Sequence, residues 1–277
     1  DGDLNQDGVA LEVHQLAVPA ITEIQKRYVA RVLEELNHFD NLLYEIGNEI
    51  HHSSTAWQYE MIRFIKGYEQ RLPKQHPVGM TFQHKFGVNQ TLFASPADWI
   101  SPNDVVVYRR DPPTADGSKV ILADTDHFWG IGGNATWVWK SFFRGLNPIF
   151  MDPMDGTVIS VEPYEVDPDT IRRAMAQTLT WSRRIPLATM KPRGEMASST
   201  YCLADPGIEY LVFVPANMSG VTVELPEGEY RFLWYDPETE GETGFESFAH
   251  PGGPTWKPKP YSADSVLHVL RIRSPDR

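Results

Sequence analysis

Hydrophobic positions in the first 185 residues fall into two patterns. Apolar residues at helical spacing predict amphipathic helices over residues 18–39, 57–71, 135–146 and 170–184, the last behind an Asp169 cap. Short apolar runs between them predict five strands, at about residues 42, 77, 105, 120 and 148. Strands that alternate with helices across short turns pair in parallel, so we expect an α/β architecture here.

The pattern changes after Pro186. Short β-rich runs separated by turn sequences such as PEGE and DPETEGE predict strands over residues 210–214, 221–225, 230–235 and 266–272. Such runs are typical of an antiparallel β-sandwich. We therefore predict two domains, residues 1–187 with the parallel sheet and residues 188–277 with the sandwich.

Five parallel strands are too few for a closed (β/α)8 barrel, which has eight. An open five-stranded sheet has two unpaired edges, and unpaired edges tend to pair with other chains. Either further copies complete the sheet or the chain is a fragment of a larger barrel. If the chain folds alone, we expect a homo-oligomer whose copies cover one another's open edges.

Composition excludes several classes of partner. The chain has 277 residues, of which 41% are hydrophobic and 22% charged, as in ordinary soluble globular proteins. A net charge of -12 would repel phosphate backbones, which argues against nucleic acid. No apolar run approaches the length of a membrane span and no signal peptide is visible, so no membrane partner is expected. The single cysteine, Cys202, excludes an internal disulfide.

Carboxylates follow two of the predicted strands. The run NLLYEIGNE, residues 41–49, predicts a buried strand that ends in Asn48 and Glu49, and KVILADTDH predicts a strand followed by Asp124 and Asp126. Catalytic groups of (β/α)8 barrels lie at such strand ends. Hydrolysis of a glycosidic bond needs one carboxylic acid to protonate the leaving oxygen and one carboxylate to attack or to activate water. The alternative for Glu49 is that it begins a helix and favours the helix dipole.

Further polar and aromatic residues at or just beyond strand ends are candidates to line a sugar site, or are ordinary loop and core residues: Gln83, His84, Tyr108, Arg109, His127 and Trp129. The adjacent His51 and His52 lack paired ligands elsewhere, so metal catalysis is not favoured. The glycines of WGIGG do not have the spacing of a nucleotide loop, and a serine-hydrolase GxSxG motif is absent.

Asp3, Asn5, Asp7 and Gly8 resemble the opening of a calcium loop. The twelfth position counted from Asp3 is His14, which cannot supply the bidentate carboxylate of such a loop. A simple acidic turn is therefore favoured over calcium binding, which stays as the alternative.

Two stretches resemble a known family. The NE ending of YEIGNE resembles the acid/base strand of clan A glycoside hydrolases, conventionally the fourth barrel strand. KVILADTDHFWGIGG followed by WVWKSFFRGLNPIFMDP resembles the seventh and eighth strands of the apiosidase-like branch, whose members carry a β-sandwich after the barrel. The resemblance covers about residues 1–190 and implies a partial (β/α)8 TIM-type barrel equivalent to strands 4–8. In the family, strands one to three precede residue 1.

The resemblance also implies roles for individual residues. Glu49 would be the general acid/base, and Asn48 would hydrogen-bond the sugar 2-hydroxyl. Asp124 falls where clan members place the nucleophile, although Glu is commoner there. Asp126 is the alternative nucleophile, or it orients His127.

Two functions follow from these observations. The first is a retaining glycoside hydrolase that acts on a carbohydrate, requires no cofactor and is, by resemblance, secreted or periplasmic. The second is a carbohydrate-binding or structural remnant of such a barrel, which keeps the fold without turnover.

Overall fold

The computed structural model describes residues 3–104, 106–130, 132–152 and 167–272. The chain divides into two compact units, one of residues 1–103 and 116–122 and one of residues 104–115 and 123–277. Within the described residues no helix is both long and apolar enough to span a membrane.

The first unit contains parallel strands and the helices between them. Its helices are α1 (Pro19–Leu36), α2 (Thr55–Glu69) and α3 (Asn89–Phe93), with 3-10 turns at Leu11–His14 and His52–Ser54. Its strands are β1 (Tyr44–Glu45), β2 (Val78–Thr81), β3 (Trp99–Ser101) and the start of β4 (Val120–Asp124). Neighbouring strands pair in parallel in the order β1-β2-β3-β4, and β5 (Asn147–Ile149) is the fifth strand of this sheet. The expected α/β architecture with a five-stranded parallel sheet is confirmed.

The core of the first unit lies between the sheet and α2. Val78 and Met80 of β2 and Ile62 of α2 are fully enclosed, because the apolar face of the helix covers the middle strands. Gly79 permits close packing inside β2, since a Cβ there would lie 1.9 Å from the ring of its register partner Trp99.

Two strand predictions in this part of the chain need correction. The strand predicted over residues 104–108 is wrong, since Val107–Arg110 forms the short helix α4 and Val106 is 73% exposed. Asp104 explains this difference, because its carboxylate accepts the N–H groups of Val106 and Val107 and so favours a turn. The third strand is instead β3, whose three residues are all buried. Strand β1 is shorter than predicted and is not buried, since Tyr44 is half-buried and Glu45 is exposed; Leu43, just before the strand, is 57% exposed.

The second unit combines helices with antiparallel strands. After α4 (Val107–Arg110) come the 3-10 turn Thr125–His127, α5 (Ala135–Phe143) and α6 (Pro168–Arg184). The cap of α6 is Asp167 rather than the predicted Asp169, because the Asp167 carboxylate accepts from the Asp169 N–H. The strands that follow are β6 (Lys191–Pro192), β7 (Cys202–Asp205), β8 (Glu209–Val214), β9 (Gly220–Leu225), β10 (Gly228–Tyr235), β11 (Glu246–His250), β12 (Gly253–Pro258) and β13 (Ser265–Arg271), with a further 3-10 turn at Gly194–Met196.

These strands form two antiparallel sheets, one in the order β11-β10-β13-β8-β7-β6 and one of β12 and β9. Alternate apolar residues from both sheets share one core, as strand periodicity requires: Tyr210, Val212, Val221, Val223, Tyr230, Phe232, Leu267 and Val269 are among its members. The sequence predicted four of these eight strands. It missed β6, β7, β11 and β12.

The second face of the larger sheet is also buried. Trp139 of α5 stacks on Phe213 of β8, with ring centroids 6.2 Å apart. Trp181 of α6 meets Tyr235 edge-on at 5.5 Å. Helices α5 and α6 therefore pack on the sandwich as part of the same compact unit. The boundary predicted between residues 187 and 188 lies inside this unit and stays a prediction.

Candidate active site

The segment after β1 carries the first candidate carboxylate, Glu49, four residues beyond the end of the strand. Asn48 and Glu49 are both exposed, and Glu49 adopts a left-handed backbone conformation with φ 47°. That conformation costs a non-glycine residue about 1–2 kcal/mol. The carboxylate of Glu45, four residues earlier, accepts a hydrogen bond of 2.8 Å from the Thr81 hydroxyl. The end of β1 is thus tied to β2, while Glu49 occupies an uncommon conformation of the kind often found at functional sites.

The segment after β2 lies beside the segment after β1. The His84 N–H donates to the carbonyl of Ile50 at 3.2 Å, and His84 forms a parallel bridge with His51. Two further left-handed residues follow, Lys85 with φ 50° and Phe86 with φ 64°. The first unit therefore brings the exposed His84 next to the turn that contains Glu49.

Gln83 has a different environment from His84. It is only 2% exposed, and its amide donates to the hydroxyl of Thr55 at 2.9 Å, at the start of α2. This bond anchors the loop after β2 and occupies one of the two amide protons of Gln83.

The two adjacent histidines are held near the same turn. The Nδ1 atom of His51 lies 2.8 Å from the hydroxyl of Ser53, and the rings of His51 and His52 are 4.2 Å apart. Burial, and then the positive charges of His52, Lys85 and His84, lower the pKa of His51. His51 is consequently an uncharged imidazole near neutral pH. Sequence reasoning considered it for metal binding alone and missed this environment.

The end of β4 carries the second pair of carboxylates. Asp124 is half-buried, and its carboxylate accepts the Asp126 N–H at 2.9 Å, which caps the 3-10 turn Thr125–His127. Asp126 itself is exposed, whereas Thr125 is fully buried and accepts the Met151 N–H at 2.8 Å. His127 is buried at the end of the turn. One oxygen of Asp124 is thus fixed by the backbone, while the Asp126 carboxylate lies in solvent.

An aromatic cluster follows this turn in the second unit. The ring of Tyr108 stacks on Phe128 with centroids 5.2 Å apart and planes 11° from parallel. Trp137 packs edge-on against Trp129 at 5.2 Å and donates its indole N–H to the Tyr108 carbonyl at 2.9 Å. Burial raises the pKa of Tyr108 to about 12, so its hydroxyl is protonated at physiological pH.

Arg109 connects this cluster to the turn after β4. Its Nε–H donates to the carbonyl of Phe128, and its guanidinium lies 5.5 Å from the ring of Trp129. The second unit therefore brings Tyr108, Arg109 and Trp129 together around Phe128, a residue that sequence reasoning did not select. The adjacent FW and WVW sequences were the signal that could have found it.

The acidic turn near the N-terminus is held by its own side chains. The Asp3 carboxylate accepts the N–H groups of Asp7 and Gly8, and the Asn5 amide oxygen accepts the Asp7 N–H at 3.0 Å. These hydrogen bonds within the turn agree with the simple acidic turn favoured above. Calcium binding stays a prediction. Within the ranges the structure describes, three or more His, Cys, Asp or Glu side chains are nowhere grouped as a metal ion would require.

Comparison with known proteins identifies structural neighbours. No family model and no curated protein matches the sequence. A solved structure of a glycoside hydrolase aligns with 90% of this chain and 69% of its own, at 12% identity and a TM-score of 0.55. A family 5 glycoside hydrolase from Bacteroides vulgatus ATCC 8482 aligns with 94% of this chain and 68% of its own, at 12% identity and a TM-score of 0.61.

A third neighbour is an α-L-fucosidase of family GH29 from Bacteroides thetaiotaomicron. It aligns with 94% of this chain and 62% of its own, at 11% identity and a TM-score of 0.51. The chain thus spans about two thirds of the length of these three neighbours. At such identities the likeness shows a shared fold and leaves activity to be argued from the residues.

Proposed function

We propose that this protein is a glycoside hydrolase. The observation that carries the proposal is a candidate carboxylate in each unit, Glu49 four residues after β1 and Asp124 at the end of β4, in a fold similar to that of glycoside hydrolases. Most glycoside hydrolases cleave the glycosidic bond with a pair of carboxylates. The uncommon backbone conformation of Glu49 supports a functional role for that residue.

The proposed mechanism retains the anomeric configuration. Glu49, protonated, donates its proton to the leaving glycosidic oxygen while an oxygen of Asp124 attacks the anomeric carbon, which gives a glycosyl ester and the free alcohol. Glu49 then removes a proton from water, which attacks the same carbon and releases Asp124. Asn48 is proposed to hydrogen-bond the sugar 2-hydroxyl, by resemblance to clan A enzymes.

Asp124 is preferred to Asp126 as the nucleophile. Its carboxylate is half-buried and oriented by the Asp126 N–H, whereas the Asp126 carboxylate is exposed. A group that attacks one carbon needs a fixed position, and a solvated side chain on a surface turn loses more entropy when it is fixed. The resemblance supports the same choice, although family members commonly have Glu there.

The substrate-binding residues are proposed in two groups. His84 and Gln83 follow β2, and Arg109, Trp129, His127 and Tyr108 belong to the second unit. Arg109 and the partly exposed Trp129 offer a guanidinium and an aromatic face, which suit hydroxyl groups and the apolar face of a sugar ring. Gln83 and Tyr108 are enclosed, so their proposed contribution is to shape the site.

We further propose that the sheet is part of a TIM-type barrel, equivalent to strands 4–8 of apiosidase-like clan A enzymes. In the described residues β1 has a single partner, β2. This unpaired edge supports the proposal that copies of the chain associate as a homo-oligomer.

The same edge favours a second candidate function. A parallel sheet with an exposed first strand, and Leu43 in solvent beside it, is also what a non-catalytic carbohydrate-binding remnant of a barrel would have. The two candidates differ in one respect, since only the hydrolase turns over.

The proposed mechanism is tested by the stereochemistry of the product and by the two aspartates. Proton NMR of the first sugar released should show the anomer of the substrate if the reaction is retaining. Asp124→Asn should lose at least about 100-fold in kcat, and Asp126→Asn, its matched control on the same turn, should lose far less. The opposite anomer, or the opposite order of the two variants, would contradict the assignment.

A further inference from the structure

The short helix α4 carries Tyr108 and Arg109 but has few internal hydrogen bonds to stabilise it. Its own hydrogen bonds include those from the Tyr108 N–H to the Asp104 carbonyl and from the Asp111 N–H to the Val107 carbonyl, both 3.1 Å long. A single helical turn is not stable in water without outside contacts. On one side these contacts come from the aromatic cluster around Phe128. The other side is held through Asp111.

Asp111 accepts hydrogen bonds from two side chains that lie in distant parts of the chain. The Tyr201 hydroxyl donates to Asp111 Oδ1 at 2.7 Å, and the Arg144 guanidinium donates to the same oxygen at 3.1 Å. Partial burial acts to raise the pKa of Asp111, but these two hydrogen bonds and the positive charges of Arg144 and Lys140 together outweigh it and hold the pKa below its usual value. Asp111 is therefore a carboxylate with two fixed donors, one directly after α5 and one directly before β7 of the sandwich.

The groups around Asp111 are themselves fixed. Arg144 lies over the ring of Tyr201 at 4.7 Å and also donates to the hydroxyls of Thr114 and Thr200. Lys140 also lies over the Tyr201 ring, at 5.3 Å, and donates to the Arg110 carbonyl at 2.9 Å. Charge-assisted bonds from a planar guanidinium give a defined geometry as well as energy. Hydrogen bonds from Arg144 and Lys140, which lie outside the segment, therefore fix the position of residues 110–114.

The backbone before Tyr201 is forced into an uncommon conformation. Thr200 is β-branched and has φ 65°, a region that such residues rarely occupy. Gly194 lets the chain approach, since a Cβ there would lie 2.5 Å from the Thr200 carbonyl oxygen. Tyr201 is itself buried, and its carbonyl accepts the Phe213 N–H of β8 at 3.0 Å. The sandwich therefore presents the Tyr201 hydroxyl from a rigid position.

We propose that Tyr201 is a positioning residue of the sugar site, which acts through Asp111 to fix the turn that presents Arg109. This inference rests on the proposed function for its link to sugar binding. It gives the β-sandwich a part in substrate recognition, through one hydroxyl 92 positions along the chain from Arg109.

The test is Tyr201→Phe, which removes the hydroxyl and keeps the ring under Arg144. Tyr210→Phe is the matched control, since its hydroxyl also serves one hydrogen bond in the sandwich, from the Gly207 N–H at 2.6 Å. Amide hydrogen exchange over residues 104–112 should be about 3- to 10-fold faster in Tyr201→Phe, and unchanged there in Tyr210→Phe. KM for the aryl glycoside should rise by about 3- to 10-fold with kcat within about twofold, because Arg109 binds the sugar without reacting.

Exchange over residues 104–112 equal to that of the wild type would overturn the proposal, whether or not the protein turns over a glycoside. Faster exchange with an unchanged KM in an active enzyme would overturn the link to sugar binding. An inactive but folded wild type would contradict the proposed function instead, and exchange would still decide whether Tyr201 fixes the turn. If Tyr201→Phe does not fold, Asp111→Ala replaces it, since it removes the acceptor of the Tyr201 hydroxyl. Exchange in Asp111→Ala should then rise in the same segment, and no rise would overturn the proposal.

Discussion

A buried histidine in the first unit must carry a positive charge. His76 is 7% exposed, with its Nδ1 atom 2.7 Å from the Glu69 carboxylate and its Nε2 atom 2.8 Å from the Phe39 carbonyl oxygen. Both partners are acceptors, so both ring nitrogens must donate, and only the imidazolium does so. The hydrogen bond to Glu69 is the largest cause of the raised pKa of His76.

The groups around His76 act on its pKa in both directions, since Glu69 and the Phe39 carbonyl raise it while burial lowers it. Glu69 is 1% exposed and also accepts the His76 backbone N–H at 2.7 Å and the Asn37 amide at 3.2 Å. Tyr44 packs edge-on against the His76 ring, and the Lys74 charge acts weakly in the opposite sense, to lower its pKa. Glu69 at the end of α2 therefore connects α1, α2 and the segment that enters β2.

Glu69→Gln tests this account. The substitution keeps the shape of the side chain but replaces one acceptor oxygen with a donor, so one of the N–H groups around it loses its partner. Removal of one partner of a buried ion pair costs about 3–5 kcal/mol, and we expect the lower end because the amide keeps some hydrogen bonds. Glu60→Gln, on the same helix, is the matched control. Its partly exposed pair with Lys26 should contribute at most about 1 kcal/mol.

The cost of Glu69→Gln should depend on pH. Since the pKa of His76 is raised in the folded protein above its ordinary value of 6.5, its contribution to stability is complete below pH 6.5. It is lost as the pH rises through the folded pKa, by up to about 1.4 kcal/mol per pH unit. In the variant, a neutral His76 can accept from the new amide, so the penalty should shrink at high pH.

Urea denaturation followed by circular dichroism at pH 5.5 and pH 9 measures both effects. We expect the difference in free energy of unfolding between wild type and Glu69→Gln to be larger at pH 5.5 than at pH 9. An equal difference at the two pH values, or one no larger than that of Glu60→Gln, would refute the assignment of a charged His76.

Two further predictions concern packing and assembly. Gly79→Ala should destabilise the protein by about 1–3 kcal/mol in urea denaturation, because its Cβ would enter the Trp99 ring, whereas Gly67→Ala in α2 meets nothing within 4 Å and should be neutral or stabilising. If the two variants lost the same free energy of unfolding relative to wild type, this packing would be contradicted. If copies pair through the edge of β1, light scattering at micromolar concentration should give a mass above that of a monomer, and Leu43→Lys should lower it. A monomeric wild type would contradict the homo-oligomer.

Strongly periodic segments were predictable from the sequence, whereas elements fixed by distant contacts were not. The apolar stripe of α2, the continuous apolar run of β8 and the alternation at the start of β10 are local signals that agree with the fold. Val106 and Val107 also favour a strand locally, but the Asp104 carboxylate accepts their N–H groups and so favours the turn that leads into α4. Strand β12 was missed because its two prolines and a glycine argue against a strand, and it is stable as the partner of β9.

The sequence predicts where the candidate carboxylates lie along the chain, but not the surroundings of the other candidate residues. Asp124 ends β4 as expected, whereas Glu49 lies four residues beyond the end of β1. The burial of Gln83 depends on Thr55 in α2, and that of Tyr108 depends on Phe128. The role of Tyr201 depends on a contact with a residue 90 positions earlier in the chain. No local pattern encodes such contacts.

The most direct test of the central claim is hydrolysis of aryl α- and β-glycosides by wild type, Glu49→Gln and Glu45→Gln. Each sugar is offered with a phenyl and a dinitrophenyl leaving group. Wild type and Glu45→Gln should turn over one sugar. Glu49→Gln should lose at least about 100-fold on the phenyl glycoside and less on the dinitrophenyl glycoside, whose departure needs little protonation. A folded wild type without turnover on any of these substrates, or a Glu49→Gln variant as active as wild type, would contradict the account.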